Sequence, residues 1–278
     1  MDTSQRASRA AYRLVVVVVV LCCLTEVNGR QVERIPRAAR HTPALRHTRI
    51  VGGNVTSQGQ FPSVVALYHH SLFGKSFICG GTLLNTNHVL TAAQCLDGYS
   101  ASSLEVVAGE QDLGHTSGLE QSHRGALKVT HDFTSTTGAN DIAILRTSGH
   151  FMLAEGLVEM VPLPRDYQTP PAMCTAVGWG YTQYGGSISK DLRAVELPTL
   201  TDQECTDVYG PDQVMLDMMC AGYMGGGSGV CNGDAGGPLF CEGVMMGITS
   251  RGLHCDNYPA IFTEVSHYLD WIRLNSDA

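Results

Sequence analysis

The chain has 278 residues, of which 44% are hydrophobic and 16% charged, with 18 basic and 26 acidic side chains. Residues 1–49 hold nine arginines and only three acids, so the 229 residues from position 50 onward carry a net charge of −14. A body this acidic repels phosphate backbones and anionic lipids, which argues against nucleic-acid-binding and membrane-active proteins. Its length is enough for one large core or two packed barrels.

The N-terminal segment has the composition of an export signal. A polar stretch with three arginines precedes the apolar run 14–24, which contains six consecutive valines, and small or polar residues follow up to Gly29. The apolar run is too short to span a bilayer. We therefore predict a signal peptide over residues 1–29 and a secreted mature chain, with an N-terminal membrane anchor as the alternative interpretation.

Residues 30–49 form a second basic segment, which lacks cysteine and contains Pro36 and Pro43. This composition predicts a removable prosegment. It ends at Arg49, and cleavage between Arg49 and Ile50 would suit a trypsin-like activating protease or a convertase that recognises paired arginines. The alternative is a basic loop that is never cut.

Eight cysteines remain once the two in the signal segment are removed. An even number in an exported chain predicts four disulfides, although the sequence alone allows 105 pairings. No Cys-x-x-Cys pair is present, so cysteine-bound metal is not expected.

Short apolar runs separated by turn residues follow one another through the body. Examples are residues 63–68, 77–84, 103–108, 127–130 and 244–249. This pattern predicts an all-β sandwich or barrel, with the proline-rich stretch 162–171 connecting two halves. Only residues 265–273 are predicted to be helical, because their apolar side chains share one face and Asp270 and Arg273 point away from it.

Four motifs in order along the chain resemble those of the chymotrypsin/trypsin family of serine proteases. They are Arg49-Ile-Val-Gly-Gly53, Leu90-Thr-Ala-Ala-Gln-Cys95, Asp141-Ile-Ala-Ile-Leu145 and Cys231-Asn-Gly-Asp-Ala-Gly-Gly-Pro-Leu239. The resemblance extends over residues 50–278 and implies two packed six-stranded antiparallel β-barrels, a site in the cleft between them and a C-terminal helix. It also implies four specific disulfides, namely Cys79–Cys95, Cys174–Cys241, Cys205–Cys220 and Cys231–Cys255.

The resemblance assigns Gln94, Asp141 and Ala235 to the positions of the catalytic triad, and two of them have lost the required chemistry. Gln94 stands where the family has histidine, and an amide does not titrate near neutral pH, so it cannot act as the general base. Ala235 stands where the family has serine, and a methyl group has no nucleophilic oxygen. His88, which precedes Gln94, is not expected to compensate. We expect the Gln94 amide to donate a hydrogen bond to the Asp141 carboxylate.

The activation switch of the family, by contrast, is complete in this sequence. The resemblance implies that cleavage after Arg49 frees the α-amino group of Ile50, which would pair with the carboxylate of Asp234. That ion pair would order an oxyanion hole formed by the backbone N–H groups of Gly233 and Ala235. The alternative is that these residues are inherited architecture without a role.

The primary specificity pocket departs from the trypsin-like pattern. Gly229 replaces the aspartate at its base, and Ala260 replaces a glycine across the pocket. The wall reads Ser250-Arg251-Gly252, so that Arg251 puts a cation in the place of a flat tryptophan ring. We therefore expect no trypsin-like substrate binding.

Two further motifs are suggested by the sequence. Glu110, Asp112 and Glu120 match part of the family's calcium loop, with an acidic solvated loop as the alternative; calcium binding needs several oxygen ligands. Asn54-Val-Thr56 is an N-glycosylation sequon. Apart from a structural calcium ion at this loop, no cofactor is expected.

These features together predict a secreted, non-catalytic serine protease homologue that acts by binding proteins. It would be a cofactor, decoy or regulator of an extracellular proteolytic cascade, in innate immunity or clotting, with proteases or zymogens as partners. The alternatives are a secreted trypsin-like endopeptidase with residual or unusual activity, and a structural or carrier protein built on the same fold.

Overall fold

The computed structural model describes residues 52–167, 170, 172–255 and 257–277. The predicted signal peptide, the prosegment and the cleavage site at Arg49 and Ile50 therefore lie outside the described residues. The described part of the chain is mostly β-structure, and it contains two packed sets of antiparallel strands.

The first set is a closed barrel. It is preceded by a two-residue strand, β1 (Asn54–Val55), and consists of β2 (Val64–Ser71), β3 (Gly74–Leu83), β4 (His88–Thr91), β5 (Leu104–Ala108), β6 (Gln121–Thr130) and β7 (Ala143–Thr147). The order around the barrel is β2-β3-β4-β7-β6-β5, and every pair is antiparallel. Closure leaves this sheet without an exposed edge.

Apolar side chains of modest size fill the first barrel. Leu67, Val89 and Leu145 are fully buried. Gly81 is required where they converge, because a Cβ atom there would lie 2.8 Å from both the Leu67 and the Val89 side chains. One buried hydrophobic cluster continues from this barrel into the second set of strands, where it includes Trp179. The two sets are therefore held together by shared apolar burial.

The second set is a seven-stranded sheet. Its further strands are β8 (Met173–Gly178), β9 (Arg193–Pro198), β10 (Met218–Ala221), β11 (Pro238–Cys241), β12 (Val244–Gly252) and β13 (Ala260–Glu264). The order is β1-β9-β8-β11-β12-β13-β10. A single bridge between Thr199 and Ala221, supported by the Leu200 N–H to Cys220 carbonyl bond of 2.9 Å, joins the β9 side to β10. The expected second six-stranded barrel is therefore present as the six strands from β9 to β10 in this order, and the bridge joins the first of them to the last. Strand β1 pairs with β9 as a seventh strand.

Two helices are described, α1 (Asp202–Tyr209) and α2 (Leu269–Ser276). Helix α2 follows a 3-10 turn at Val265–Tyr268, and its apolar face is buried as the sequence predicts. Helix α1 corrects the expectation that only the C-terminal end is helical. Its signal was the sequence Thr201-Asp-Gln-Glu204, in which the Thr201 and Glu204 side chains cap each other's backbone N–H groups.

The four disulfides implied by the resemblance are all present. They are Cys79–Cys95, Cys174–Cys241, Cys205–Cys220 and Cys231–Cys255. The first ties the turn that follows β4 to β3, and the last ties the segment before β11 to the residues after β12, so two of the four hold segments that line the cleft.

Candidate functional site

Gln94, Asp141 and Ser250 form a closed hydrogen-bonded cluster in the cleft between the two sets of strands. The Gln94 Nε2 atom donates to Asp141 Oδ2 at 2.5 Å and to the Ser250 carbonyl at 2.8 Å. The Gln94 backbone N–H donates to Asp141 Oδ1 at 2.9 Å, and the Ser250 hydroxyl donates to Oδ2 at 2.7 Å. The expected bond between Gln94 and Asp141 is therefore confirmed, and both amide hydrogens of Gln94 are engaged.

The local structure explains this convergence. Gln94 lies in the 3-10 turn Ala93–Cys95, which follows β4 and is tied to β3 by the Cys79–Cys95 disulfide. Asp141 lies two residues before β7, the neighbour of β4 in the barrel. Ser250 lies in β12, where the register with β13 shifts between Thr249 and Arg251. The amide of Gln94 thus links the first barrel to the second sheet.

Asp141 is a buried carboxylate that accepts hydrogen bonds from this cluster, with a further contribution from the Ala93 N–H. Its side chain is 1% exposed. Burial raises its pKa, and the hydrogen bonds from Gln94 and Ser250 act in the opposite direction by stabilising the charged form. An amide in the Gln94 position therefore supplies the hydrogen-bonding function that a buried charge requires.

Ala235 lies in the turn between the Cys231–Cys255 disulfide and β11. Its carbonyl accepts a hydrogen bond from the Gly80 N–H at 2.9 Å, which fixes the turn against β3. Among the residues that the structure describes, no atom accepts a hydrogen bond from the N–H groups of Gly233 or Ala235. Gly233 has a φ of +95°, which favours glycine at that position. The two groups predicted to form the oxyanion hole are thus available donors.

Asp234 points away from the cleft into the protein. Its carboxylate is 1% exposed and accepts hydrogen bonds from the N–H groups of Gly180 (2.7 Å) and Cys231 (2.8 Å). Burial raises its pKa to about 6. The predicted partner Ile50 lies outside the described residues, so the ion pair stays a prediction.

Two cavities meet in the cleft. The smaller, of about 260 Å³, is lined by residues of the predicted specificity pocket and oxyanion hole; the larger, of about 540 Å³, lies beyond Arg251. They share Gln94, Ser250, Arg251 and Gly252. Gly229 and Ala260, which the resemblance places in the pocket, are buried and are not among the residues that line the two cavities. Ala260 pairs with Gly252 across β12 and β13.

Arg251 is half-buried at the junction of the two cavities. Its Nη2 atom donates to the Gln213 carbonyl at 2.7 Å, whereas its Nη1 atom is buried without a hydrogen-bond partner among the described residues. A Cβ atom at Gly138 would lie 1.8 Å from Nη1, so the missing side chain at position 138 makes room for the guanidinium. Sequence reasoning identified Arg251 but missed Gly138, because no sequence motif indicates the conformation of the turn in which Gly138 lies.

Thr249 is a second residue that sequence reasoning missed. It is 3% exposed, lines the smaller cavity, and has an Oγ1 atom without a partner among the described residues. The cleft therefore contains hydroxyl, amide and guanidinium groups, but no histidine occurs among the described residues that line the two cavities. His88, by contrast, is hydrogen-bonded to Asn85 at the far end of β4.

The carboxylates of the predicted calcium loop do not form a cation site in the described arrangement. Glu120 accepts hydrogen bonds from the N–H groups of Ser117 and Gly118, while Asp112 accepts one from Gly114. Glu110 is bound by the Tyr68 hydroxyl, although its Oε1 atom has no partner among the described residues. The described part of the chain holds no group of three or more His, Cys, Asp or Glu residues suited to a metal ion. Calcium binding stays a prediction.

The predicted glycosylation site lies in β1. Asn54 is exposed, while Thr56 is buried and donates its hydroxyl to the Leu192 carbonyl at 3.1 Å. The exposure of Asn54 is what an attached glycan requires, and its modification stays a prediction. Among the described residues, no helix combines the length and the apolar character needed to cross a membrane.

A closed β-barrel packed on a second antiparallel sheet, with residues 94, 141 and 235 meeting at the cleft, defines the class of the trypsin-like serine protease fold. A family model described as Trypsin matches residues 50–272, and the chain belongs to that family. It is 36% identical to Trypsin-1 of Astacus astacus over 82% of this chain and 100% of that protein. It is 35% identical to Trypsin of Sus scrofa, over 81% of this chain and 94% of that protein, and 34% identical to Trypsin I-P1 of Gallus gallus, over 81% and 88%.

Proposed function

We propose that this trypsin-like domain is a secreted, non-catalytic serine protease homologue that acts by binding other proteins. The observation that carries the proposal is the chemistry at the triad positions. Gln94 has both amide hydrogens committed to Asp141 and Ser250, and Ala235 has a methyl group where a nucleophile is needed. The triad positions thus supply neither a general base nor an attacking oxygen.

The expected loss of catalytic turnover is large. Removal of either the serine or the histidine of such a triad lowers turnover by about 10⁶-fold, or about 8 kcal/mol of barrier, and removal of both lowers it little further. Ser250, whose hydroxyl adjoins the cleft, does not replace the missing nucleophile because it donates to the buried Asp141 carboxylate, and no histidine is found among the described residues that line the two cavities.

Several features support binding as the remaining function. The barrel, the four disulfides and the cavities of about 260 and 540 Å³ are present around the altered positions. Disulfides form in oxidising compartments, which together with the N-terminal composition supports secretion. An extracellular partner of such a domain would be a protease or zymogen, which it would assist, compete with or regulate in an innate immune or clotting cascade.

Cleavage after Arg49 by an activating protease is part of this proposal. The new α-amino group of Ile50 would pair with Asp234, whose raised pKa reflects a buried carboxylate. Since the N–H groups of Gly233 and Ala235 adjoin Asp234, this pairing would alter the surface that a partner contacts.

Covalent labelling tests the loss of catalysis. The secreted protein, cleaved after Arg49, should not react with a fluorophosphonate probe, and neither should the single variant Ala235→Ser. The double variant Gln94→His with Ala235→Ser should be labelled, because it restores both the base and the nucleophile. Labelling of the unmodified protein would overturn the proposal in favour of a trypsin-like endopeptidase with residual or unusual activity.

A further inference from the structure

Asn232 and Gly233 form an asparagine–glycine pair at the edge of the smaller cavity. Both residues line that cavity, and Asn232 is exposed to solvent. No other asparagine of the described residues precedes a glycine in the sequence. The side-chain amide of Asn232 has no hydrogen-bond partner among the described residues, so it is free to turn toward its own main chain.

The Gly233 nitrogen is the nucleophile that this amide would meet. Its N–H group donates to no described atom, and glycine has no Cβ atom that could shield the nitrogen. Attack by this nitrogen on Cγ of Asn232 closes a five-membered ring. Because both groups belong to adjacent residues, the reaction is intramolecular and has the advantage of proximity.

A hydrogen bond from Tyr181 favours the reactive form of this nitrogen. The Tyr181 N–H donates to the Asn232 carbonyl at 2.7 Å. That carbonyl belongs to the same peptide group as the Gly233 nitrogen, and the two atoms share charge by resonance. When the nitrogen loses its proton, the fixed donor therefore stabilises the negative charge that develops on the oxygen.

The fold requires glycine at position 233 but not asparagine at position 232. Gly233 has a φ of +95°, and a Cβ atom there would lie 2.4 Å from the Ile188 side chain. A substitution at 233 would therefore disturb the turn. The exposed side chain of Asn232 has no such constraint, so position 232 is the one at which the pair can be altered without loss of packing.

We propose that Asn232 is a site of spontaneous deamidation. The Gly233 nitrogen gives its proton to hydroxide and bonds to Cγ of Asn232, the bond from Cγ to the side-chain nitrogen breaks, and ammonia leaves. Water then opens the cyclic imide at either of its two carbonyls, which produces an aspartyl or an isoaspartyl residue. Both products add a negative charge, and the isoaspartyl product also lengthens the main chain before Gly233 by one atom.

The position of Asn232 gives this modification a consequence for the cleft. The inserted atom lies directly before the two N–H groups predicted to form the oxyanion hole, those of Gly233 and Ala235. The modified protein would therefore present these donors differently from the protein as synthesised. The inference goes beyond the proposed binding function and does not depend on it.

Peptide mapping tests the inference. The mature protein is kept at 37 °C at pH 7.5 or 8.5, and mass spectrometry follows the increase of about one dalton at each asparagine, with chromatographic separation of the isoaspartyl product. We expect Asn232 to react faster than Asn257, which is also exposed but precedes a tyrosine. The rate at Asn232 should rise about tenfold between the two pH values, because proton loss from the peptide nitrogen precedes the attack.

Matched variants assign the reaction to this pair. Asn232→Gln keeps an exposed amide but would need a larger ring, so the reaction at 232 should be lost. Asn257→Gln should leave the rate at Asn232 unchanged. A rate at Asn232 no higher than that at Asn257 in the unmodified protein would overturn the inference, and this comparison does not depend on the folding of any variant. Fluorophosphonate labelling is read separately, so failure of the proposed function would be distinguishable.

Discussion

At the scale of single residues, the cleft shows how a buried carboxylate is accommodated after its usual partner is lost. Asp141 is 1% exposed and keeps three side-chain and backbone donors from Gln94 and Ser250. An aliphatic residue at position 94 would leave the Asp141 carboxylate without one of its side-chain donors. We infer that glutamine at this position is a structural requirement of the retained aspartate.

This requirement predicts the effect of Gln94→Met, which keeps the length of the side chain and removes its donors. We expect the free energy of unfolding to fall by about 1–3 kcal/mol, because Asp141 loses a charge-assisted hydrogen bond. The matched control is Gln203→Met on helix α1, where Nε2 donates to Asp207 on the protein surface at 2.7 Å. That substitution should lower the free energy of unfolding by no more than about 0.5 kcal/mol. Equal losses in urea titrations of the two variants would show that Asp141 does not depend on Gln94.

Asp234 predicts a pH dependence of stability for the protein before cleavage. Its pKa is about 6 in the folded protein against an ordinary 3.8, so between these values the folded state holds more protons than the unfolded state. The contribution of Asp234 to the free energy of unfolding is therefore greatest below pH 4. It decreases by up to about 3 kcal/mol as the pH rises to 6, and it stays constant at higher pH. Urea titrations at pH 4.5 and 6.5 should show a larger decrease for the unmodified protein than for Asp234→Asn, and equal decreases would contradict the assignment.

At the scale of secondary structure elements, the fold depends on short elements that are stabilised individually. Strand β4 and helix α1 have four and eight residues, and an isolated helix of eight residues is unstable in water. Helix α1 is fixed by its capping box and by the Cys205–Cys220 disulfide, which ties it to β10. Its stability therefore comes from its N-terminal cap and from this covalent link more than from packing along its length.

The capping box gives a prediction for helix α1. Thr201→Ala removes the side chain that accepts the Glu204 N–H, and we expect the free energy of unfolding to fall by about 1 kcal/mol. Thr116→Ala, in the exposed loop after β5, makes the same chemical change and should have little effect. Thermal unfolding followed by circular dichroism measures both; an unchanged midpoint for Thr201→Ala would show that the disulfide alone holds the helix.

The sequence predicted most of the first barrel because its strands are short apolar runs with clear turns. The boundaries differ where the runs are polar: β3 begins at Gly74 instead of 77, and β12 continues to Gly252 instead of 249. The bond between Gln94 and Asp141 was predictable because both positions belong to motifs. The contact between Arg251 and Gly138 was not, since it joins distant segments through the conformation of a loop that has no sequence signature.

At the scale of the whole molecule, the two sets of strands pack as one unit, and the cleft lies along the interface between them. The Gln94 amide connects the first barrel to β12, and the hydrophobic cluster that includes Trp179 runs through both sets. A substitution at this interface is therefore expected to affect the stability of the whole domain.

Cleavage after Arg49 provides the prediction at this scale. If the new α-amino group of Ile50 reaches Asp234, it pairs with a buried carboxylate, and the thermal midpoint should rise by several degrees relative to the uncleaved protein. Acetylation of the new N-terminus after cleavage, or Asp234→Asn before it, should abolish that increase. An equal midpoint before and after cleavage, measured by calorimetry at pH 7, would show that the switch is not retained.

The contact between Arg251 and Gly138 couples two positions that lie far apart in the sequence. A Cβ atom at position 138 would lie 1.8 Å from Nη1, so any side chain there would push the guanidinium out of its present position. The long arginine side chain could relieve that clash only by leaving the place where the two cavities meet. The effect of a substitution at either position is therefore expected to depend on which residue stands at the other.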